Sequence, residues 1–374
     1  LMNTERMRVV FVINDFIIGG VQRLYIELFK YLDPACFDIH LITLSQFPGR
    51  ADMYARIPSG ITVHRLDFKG FGDVQQWQIL RKKLATLVPD VVITSLFFSN
   101  TIVRVIGLTL PFKIIAVEQN TNTWKRSLQV FVDWILSYRT DVFVAASVTV
   151  KEFAARQARI PSKRFEVIHN SIDMEEITRR KKENNSLASL RAEFKFSETD
   201  HIVLNVARLT HQKNQAALIE AFIRFSQSHV NYKLLIVGEG PEHERLVERI
   251  AELGGENSVV LAGARQDIFP YYFIADFFVS TSFIEGFGIA HAEALASGLP
   301  VLTTKTAGPD EMIYDGVNGY FMAPSIEGIM EGLEKMVTKG VSASVEDISE
   351  SVRKFDSKTI AAVYTALIRR VASR

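Results

Sequence analysis

The chain has 374 residues, 48% of them apolar and 23% charged, a length beyond what one hydrophobic core usually organises and a composition that excludes disorder. Its single cysteine, Cys36, excludes a disulfide framework and a cysteine-based zinc site, and no apolar run reaches the ~18 residues needed to span a bilayer. The net charge of +1 hides an asymmetry: residues 1–172 carry 21 Lys and Arg against 14 Asp and Glu, and the remainder 22 against 28.

Along the chain, short apolar runs alternate with longer helical patterns. Strands are expected at Arg8–Ile13, Phe37–Leu44, Ile61–Leu66, Val91–Ser95, Lys113–Val117, Val142–Ala146 and Phe165–Ile168. Near-continuous apolar runs separated by helices predict a buried parallel sheet. Met174 to Asp200 is polar and charge-rich, and reads as a linker followed by a short helix. A second series follows, at His201–Val206, Tyr232–Val237, Val259–Leu261, Phe277–Ser280, Pro300–Thr303 and Gly319–Met322. The fold class is therefore α/β, two tandem Rossmann-like doubly wound domains, 1–172 and 173–356. Ser357 to Arg374 reads as an amphipathic helix with Ile360, Val363, Tyr364, Leu367 and Ile368 on one side. No strand follows it, so it is expected to pack back on the first domain.

Sheets of this kind bind ligands at the carboxyl ends of their strands, which is where the chemistry-bearing residues fall. Gly19-Gly20 follows the first strand and opens a helix, a turn that allows close approach of a ligand or of backbone. It is not the G-x-G-x-x-G fingerprint, which argues against a nicotinamide enzyme. In the second domain Ala-Arg208-Leu-Thr-His-Gln-Lys213-Asn214 follows a strand directly, so two cations and a helix start can reach one anion. Gly238-Glu-Gly240-Pro241 is a tight turn after the next strand. Glu285 and Glu293 lie eight positions apart in Glu-Gly-Phe-Gly-Ile-Ala-His-Ala-Glu. The first stands on a glycine-rich loop and the second about two turns into the following helix, so both can face one pocket. His291 between them reads as a packed helix residue. No Asp-x-Asp and no metal-spaced His pair occurs near these loops, so a bound diphosphate would be neutralised by Arg208, Lys213 and helix amides, with no metal.

Together these segments resemble the retaining, nucleotide-sugar-dependent glycosyltransferases of family 4, also called glycosyl transferases group 1, which have the GT-B fold. The resemblance covers essentially the whole chain, and the two-glutamate segment with the following Ala-Leu-Ala-Ser-Gly-Leu-Pro-Val is its most specific part. His169-Asn-Ser-Ile-Asp173 is similar to the Asn-Gly-hydrophobic-Asp that closes the family's first domain. The resemblance implies two such domains facing each other across a cleft. It implies that Glu285 contacts the donor sugar, that the amides of Gly286, Phe287 and Gly288 run along the sugar and diphosphate, and that Glu293 grips the ribose. Arg208 and Lys213 would stabilise the leaving nucleoside diphosphate, with Gly238 beside them and Gly20 approaching from the first domain. Thr306-Ala-Gly308-Pro-Asp-Glu311 stands where the family has Gly-Gly-x-Pro-Glu.

The function implied is transfer of a sugar from a UDP- or GDP-linked donor to a glycan or lipid-linked acceptor in cell-surface glycan, polysaccharide or glycolipid synthesis. No cofactor, metal or nucleic-acid partner is expected. The alternatives are a sugar-nucleotide epimerase and an inactive relative acting as a sensor or partner subunit; the two-glutamate segment argues against the first, and intact Arg208, Lys213, Glu285 and Glu293 against the second. Where many members have a histidine after the fifth strand this chain has Glu118-Gln119-Asn120, which makes Glu118 and Gln119 candidate donor or acceptor contacts. The segment Asn122 to Leu136 combines aromatics with leading basic residues, and its plainer reading is a core helix. The competing one is a helix resting on a membrane. The expected address is the cytoplasm, with peripheral contact at the inner face of the plasma membrane through the basic first domain.

Overall fold

The structure, a computed structural model, describes residues 6–121, 123–183 and 187–374. Asn122 of the aromatic segment, the first five residues and positions 184–186 of the expected linker lie outside the described residues. The chain forms two compact units, Leu1–Ser171 with Ser357–Arg374, and Ile172–Asp356.

The first unit is built on seven strands, β1 (Met7–Ile13), β2 (Phe37–Thr43), β3 (Thr62–Arg65), β4 (Val91–Ser95), β5 (Lys113–Glu118), β6 (Val142–Ala145) and β7 (Phe165–Val167). They pair in parallel in the order β3-β2-β1-β4-β5-β6-β7. Apolar residues occupy both faces because helices cover both. Val9, Phe11 and Ile13 of β1 enter one core with the helices Gly20–Tyr31 and Ser357–Ala372, whereas Val10 and Val12 enter the other with Leu80, Leu84, Ile102 and Val103. The C-terminal helix contributes Ile360, Ala361, Tyr364, Leu367, Ile368 and Val371 to that first core. Val363, expected on the same side, is exposed instead, because the apolar stripe centres one position further round the helix.

The second unit holds β8 (His201–Val206), β9 (Tyr232–Val237), β10 (Val259–Gly263), β11 (Phe277–Ser280), β12 (Val301–Thr304) and β13 (Gly319–Met322). They too are parallel, in the order β10-β9-β8-β11-β12-β13. Each sheet therefore reverses its winding direction once, between β1 and β4 and between β8 and β11. Ile172 and Asp356 pair in a bridge, so the chain enters and leaves this unit at adjacent points. Much of the expected linker is helical, Met174–Glu183 and Leu187–Glu193. Asp173 caps the first of these by accepting the Glu176 amide at 2.9 Å, and Met174 and Ile177 supply its buried face. Few apolar residues in a charged segment suffice for a helix when they recur three apart.

The helix Ser127–Ser137 corrects the expectation of a core element. It buries Asp133, Leu136 and Ser137 and turns Leu128, Phe131, Trp134 and Ile135 outward. The reason is a set of four buried charges. Asp133 pairs with Arg104 and, at 2.8 Å, with Lys125, whose ammonium also lies 3.6 Å from Glu118. Burial alone would lower the Lys125 ammonium; Glu118 and Asp133 outweigh it and raise the group above its ordinary value of 10.5. Two positive and two negative side chains compensate one another, and satisfying them fixes which face of the helix turns inward.

Candidate active site

The carboxyl ends of β8 and β11 are neighbours at the point where the second sheet reverses its winding, so the loops that leave them diverge and leave a crevice. Both loops carry the candidate residues, and backbone and side-chain bonds stitch them together. The Thr281 hydroxyl donates to the carbonyls of Lys213 and Asn214 at 3.0 and 3.1 Å, Phe283 N–H donates to the Gln212 carbonyl at 2.9 Å, and the Gln212 amide donates to the Ile284 carbonyl at 2.8 Å. This stitching brings Lys213 and Glu285 into an ion pair although 72 residues separate them. Ser282 adds its hydroxyl, donating to the same Glu285 oxygen at 2.8 Å.

Both members of the pair are partly buried, the side chains 20% and 14% exposed. Burial opposes the Glu285 charge, but Lys213 and Ser282 outweigh it and hold the carboxyl below its ordinary value of 4.5. At neutral pH the site therefore contains a carboxylate able to accept hydroxyl hydrogen bonds beside an ammonium able to meet a phosphate. His291 is uncharged at neutral pH. Buried, with Nε2 2.9 Å from the Thr303 hydroxyl and its ring against Phe278, it is pushed down to about 4 and is neutral at pH 7.

Arg208 leaves β8 between two residues whose backbones rest on glycine. A Cβ at Gly238 would lie 1.9 Å from the Ala207 carbonyl oxygen, and one at Gly240 would lie 2.1 Å from that of Leu209. Gly238 also adopts φ +149°, which side-chain-bearing residues rarely reach. Gln215, buried at the next helix start, donates to the Arg208 carbonyl at 3.1 Å. The backbone is thus fixed while the guanidinium is exposed and has no hydrogen-bond or ion-pair partner among the described residues. Gly238 shapes this loop rather than offering a side-chain contact. Gly238→Ala is expected to destabilise the protein by about 2–3 kcal/mol. A thermal unfolding curve superposable on that of the original chain would refute this packing.

Gly288 stands at the start of the helix Ile289–Ala296 with φ +82°, and Gly286 precedes the buried ring of Phe287, which packs edge-on against Phe355. The loop after β12 closes on this backbone, since a Cβ at Gly308 would meet the Phe287 carbonyl oxygen at 2.0 Å. Glu293 is the fifth residue of its helix, little more than one turn in rather than two. It is buried and accepts the Tyr272 hydroxyl at 3.0 Å.

The remaining candidates belong to the first unit. Gly20 is the exposed first residue of the helix Gly20–Tyr31, after β1 at that sheet's own winding reversal. Glu118 ends β5, buried and held by Lys125 and by the Asn100 amide at 3.5 Å. Gln119 accepts the Asn170 amide at 2.9 Å. Sequence reasoning missed Ser282 and Tyr272, which lock the two glutamates, and a cavity of about 220 Å³ beyond β1 and β2 lined by Asp15, Gln46, Arg50, Asp52, Tyr54 and Arg65. No short motif marks these positions; the strand-end rule alone could have drawn attention to residues after Ile13 and Thr43. Among the described residues no group of three or more His, Cys, Asp and Glu is placed to hold a metal, and no helix is long and apolar enough to cross a membrane.

Two doubly wound units of this connectivity define the GT-B class of fold. HepE of Anabaena, crystallised with UDP and glucose, superposes with a TM-score of 0.82 at 20% identity, over 97% of this chain and all of that one. Sucrose-phosphate synthase of Thermosynechococcus elongatus gives 0.80 at 16%, over 98% and 100%. Residues 18–176 match the family described as Glycosyltransferase Family 4 and residues 188–355 that described as Glycosyl transferases group 1, so the chain belongs to the family 4, group 1 glycosyltransferases. Relatives include the N-acetyl-alpha-D-glucosaminyl L-malate synthase of Bacillus anthracis, 28% identical over 43% of this chain and 40% of its own length. The alpha-monoglucosyldiacylglycerol synthase of Streptococcus pneumoniae is 30% identical over 45% and 39%. An N-acetylgalactosaminyltransferase of Campylobacter jejuni, named for a diphospho-undecaprenol substrate, is 29% identical over 58% and 56%. The chain thus spans between 39% and 56% of the length of these relatives.

Proposed function

We propose that the chain transfers a sugar from a nucleoside diphosphate sugar to an acceptor hydroxyl, with retention of anomeric configuration. The observation that carries this reading is the Lys213 and Glu285 pair together with Arg208, exposed and without an ion-pair partner among the described residues, at the strand ends where a doubly wound sheet takes its ligand. Breaking the bond between the anomeric carbon and the diphosphate sends the electron pair to a phosphate oxygen while positive charge builds on the carbon. Arg208 and Lys213 stabilise the departing diphosphate, and Glu285 accepts hydrogen bonds from the sugar hydroxyls. The acceptor oxygen bonds to the anomeric carbon from the same face, and its proton passes to the leaving phosphate oxygen. No protein nucleophile is needed, only positioning and preorganised charge. Glu293 holds the ribose, with Tyr272 fixing its orientation. The reaction is metal-independent because the two cations occupy the electrostatic role of a divalent ion.

HepE binds UDP and glucose, which makes UDP-glucose the first donor to try and GDP sugars the next. Relatives named for diacylglycerol and for undecaprenyl diphosphate support a lipid-linked or glycan acceptor, and with it a place in cell-surface glycan or glycolipid synthesis. The test is nucleoside diphosphate release with a panel of donors and acceptors, with and without EDTA. Acceptor-dependent release unaffected by chelator is expected. Donor binding without release under any acceptor would overturn transfer in favour of a sensor, and strict dependence on Mg²⁺ would overturn the metal-free scheme.

A further inference from the structure

The helix Ser127–Ser137 has its polarity turned inside out. Its outward stripe consists of Leu128 (72% exposed), Phe131 (53%), Trp134 (39%) and Ile135 (46%), and Tyr138 (76%) continues it past the last turn. These positions recur three or four apart, so they form one continuous apolar strip and not scattered residues. Phe131, Trp134 and Tyr138 touch ring to ring at 5.8 and 6.0 Å. A second aromatic run lies at the segment's beginning, where exposed Trp124 packs edge-on against Phe97 at 5.6 Å and Phe97 against exposed Phe71 at 6.2 Å. Exposed apolar strips of this extent mark surfaces that are covered in use.

What covers it is set by charge. The only ionisable residue within the helix, Asp133, is buried with Arg104 and Lys125, so the strip presents no charge of its own. Around it the unit is strongly basic: Leu1–Ser171 with Ser357–Arg374 carries 25 Lys and Arg against 14 Asp and Glu, a net +11. Exposed Arg126 stands directly before the helix. A second copy of this chain would set one +11 surface against another, which opposes association. Tryptophan and tyrosine amid aliphatic side chains, on a unit of net positive charge and with Arg126 at the strip's start, suit a bilayer interface, where the rings enter the headgroup layer and the cations meet anionic lipid.

We infer that the Ser127–Tyr138 face of the first unit docks on an anionic lipid surface, lying in the interface without crossing it. Vesicle binding can fail while the transfer chemistry stands, and the reverse, so the two are tested separately. The full chain is mixed with vesicles of phosphatidylcholine alone or with one quarter phosphatidylglycerol, and the bound fraction is measured by sedimentation. The original chain is expected to bind the anionic vesicles, to bind neutral ones at least about ten-fold more weakly, and to be released by high salt. Phe131→Ser with Trp134→Ser should cut the partition coefficient by more than about ten-fold with an unchanged melting temperature. Should that variant melt early, the fluorescence of the original chain decides, since Trp124 and Trp134 emission must shift to the blue on adding anionic vesicles. Absence of binding, equal binding by the variant, no spectral shift, or a dimer in solution that the same substitutions dissociate would each overturn the inference.

Discussion

Lys213→Ala is expected to lower turnover by about 10²–10³-fold with near-native melting, the scale found when one preorganised charge donor to a transition state is removed. The loss should appear mainly in kcat, because diphosphate charge is largest as the sugar bond breaks. Lys213 has a second effect, on Glu285. With its ammonium gone, burial acts on the carboxyl with His291 and Ser282 left in opposition, and the depression of its pKa diminishes. In the original chain a carboxyl held below 4.5 contributes stability above that pH and loses it as the pH falls through the lowered value. Lys213→Ala should therefore flatten the acid limb of the stability profile while removing most activity. Arg208→Ala lacks the second effect, since no described carboxylate depends on it, and should reduce turnover by a similar factor while leaving the acid limb intact. Turnover within a few-fold of the original for either variant would refute the diphosphate site; an unchanged acid limb for Lys213→Ala would refute the pairing with Glu285.

Asp133→Ala should cost about 3–5 kcal/mol of stability, the penalty for leaving buried charge uncompensated. Arg104 would then lose its carboxylate partner and Lys125 would keep Glu118, in a region that is nearly buried. Chemical unfolding would measure the loss, and a value below about 1 kcal/mol would sink the account of why the helix faces as it does. Replacing Arg104 and Asp133 together by Met and Leu should recover most of the stability, because a buried ion pair often exchanges with apolar residues at little cost. The raised Lys125 group adds a contribution that is fully present below 10.5 and lost only as the pH rises through its higher folded value, so this contribution does not vary near neutrality.

The two outcomes separate what is legible in a linear sequence from what is not. The thirteen strands of the described residues fall where the apolar runs place them, with ends displaced by a residue or two, because a strand covered on both faces needs a near-continuous apolar stretch whatever its neighbours are; the partly exposed edge strand β3, Thr-Val-His-Arg, is the exception. Arg208, Lys213 and Glu285 announce themselves because strand ends in such a sheet are ligand positions and because their motifs are local. The pairing of Lys213 with Glu285 is not local. It follows from β8 and β11 lying side by side, a neighbour relation that no periodicity encodes.

The helix after β5 departs from its plainer reading as a core helix for the same reason. Its apolar content suggested burial, but Arg104 and Lys125 lie outside it, and only the folded chain reveals that Asp133 must turn inward to meet them. Glu118, read as a candidate ligand contact, is held by Lys125 and Asn100. Glu293 keeps its place in the motif, yet its partner Tyr272 comes from a helix 21 positions away. Amino-acid order by itself determined the two α/β units, their strands and the residue types at the strand ends, since burial and backbone hydrogen bonding act residue by residue along a strand. Tertiary structure decided which charges meet and which faces remain uncovered, because an ion pair or a buried charge depends on groups that distant segments bring within a few ångströms.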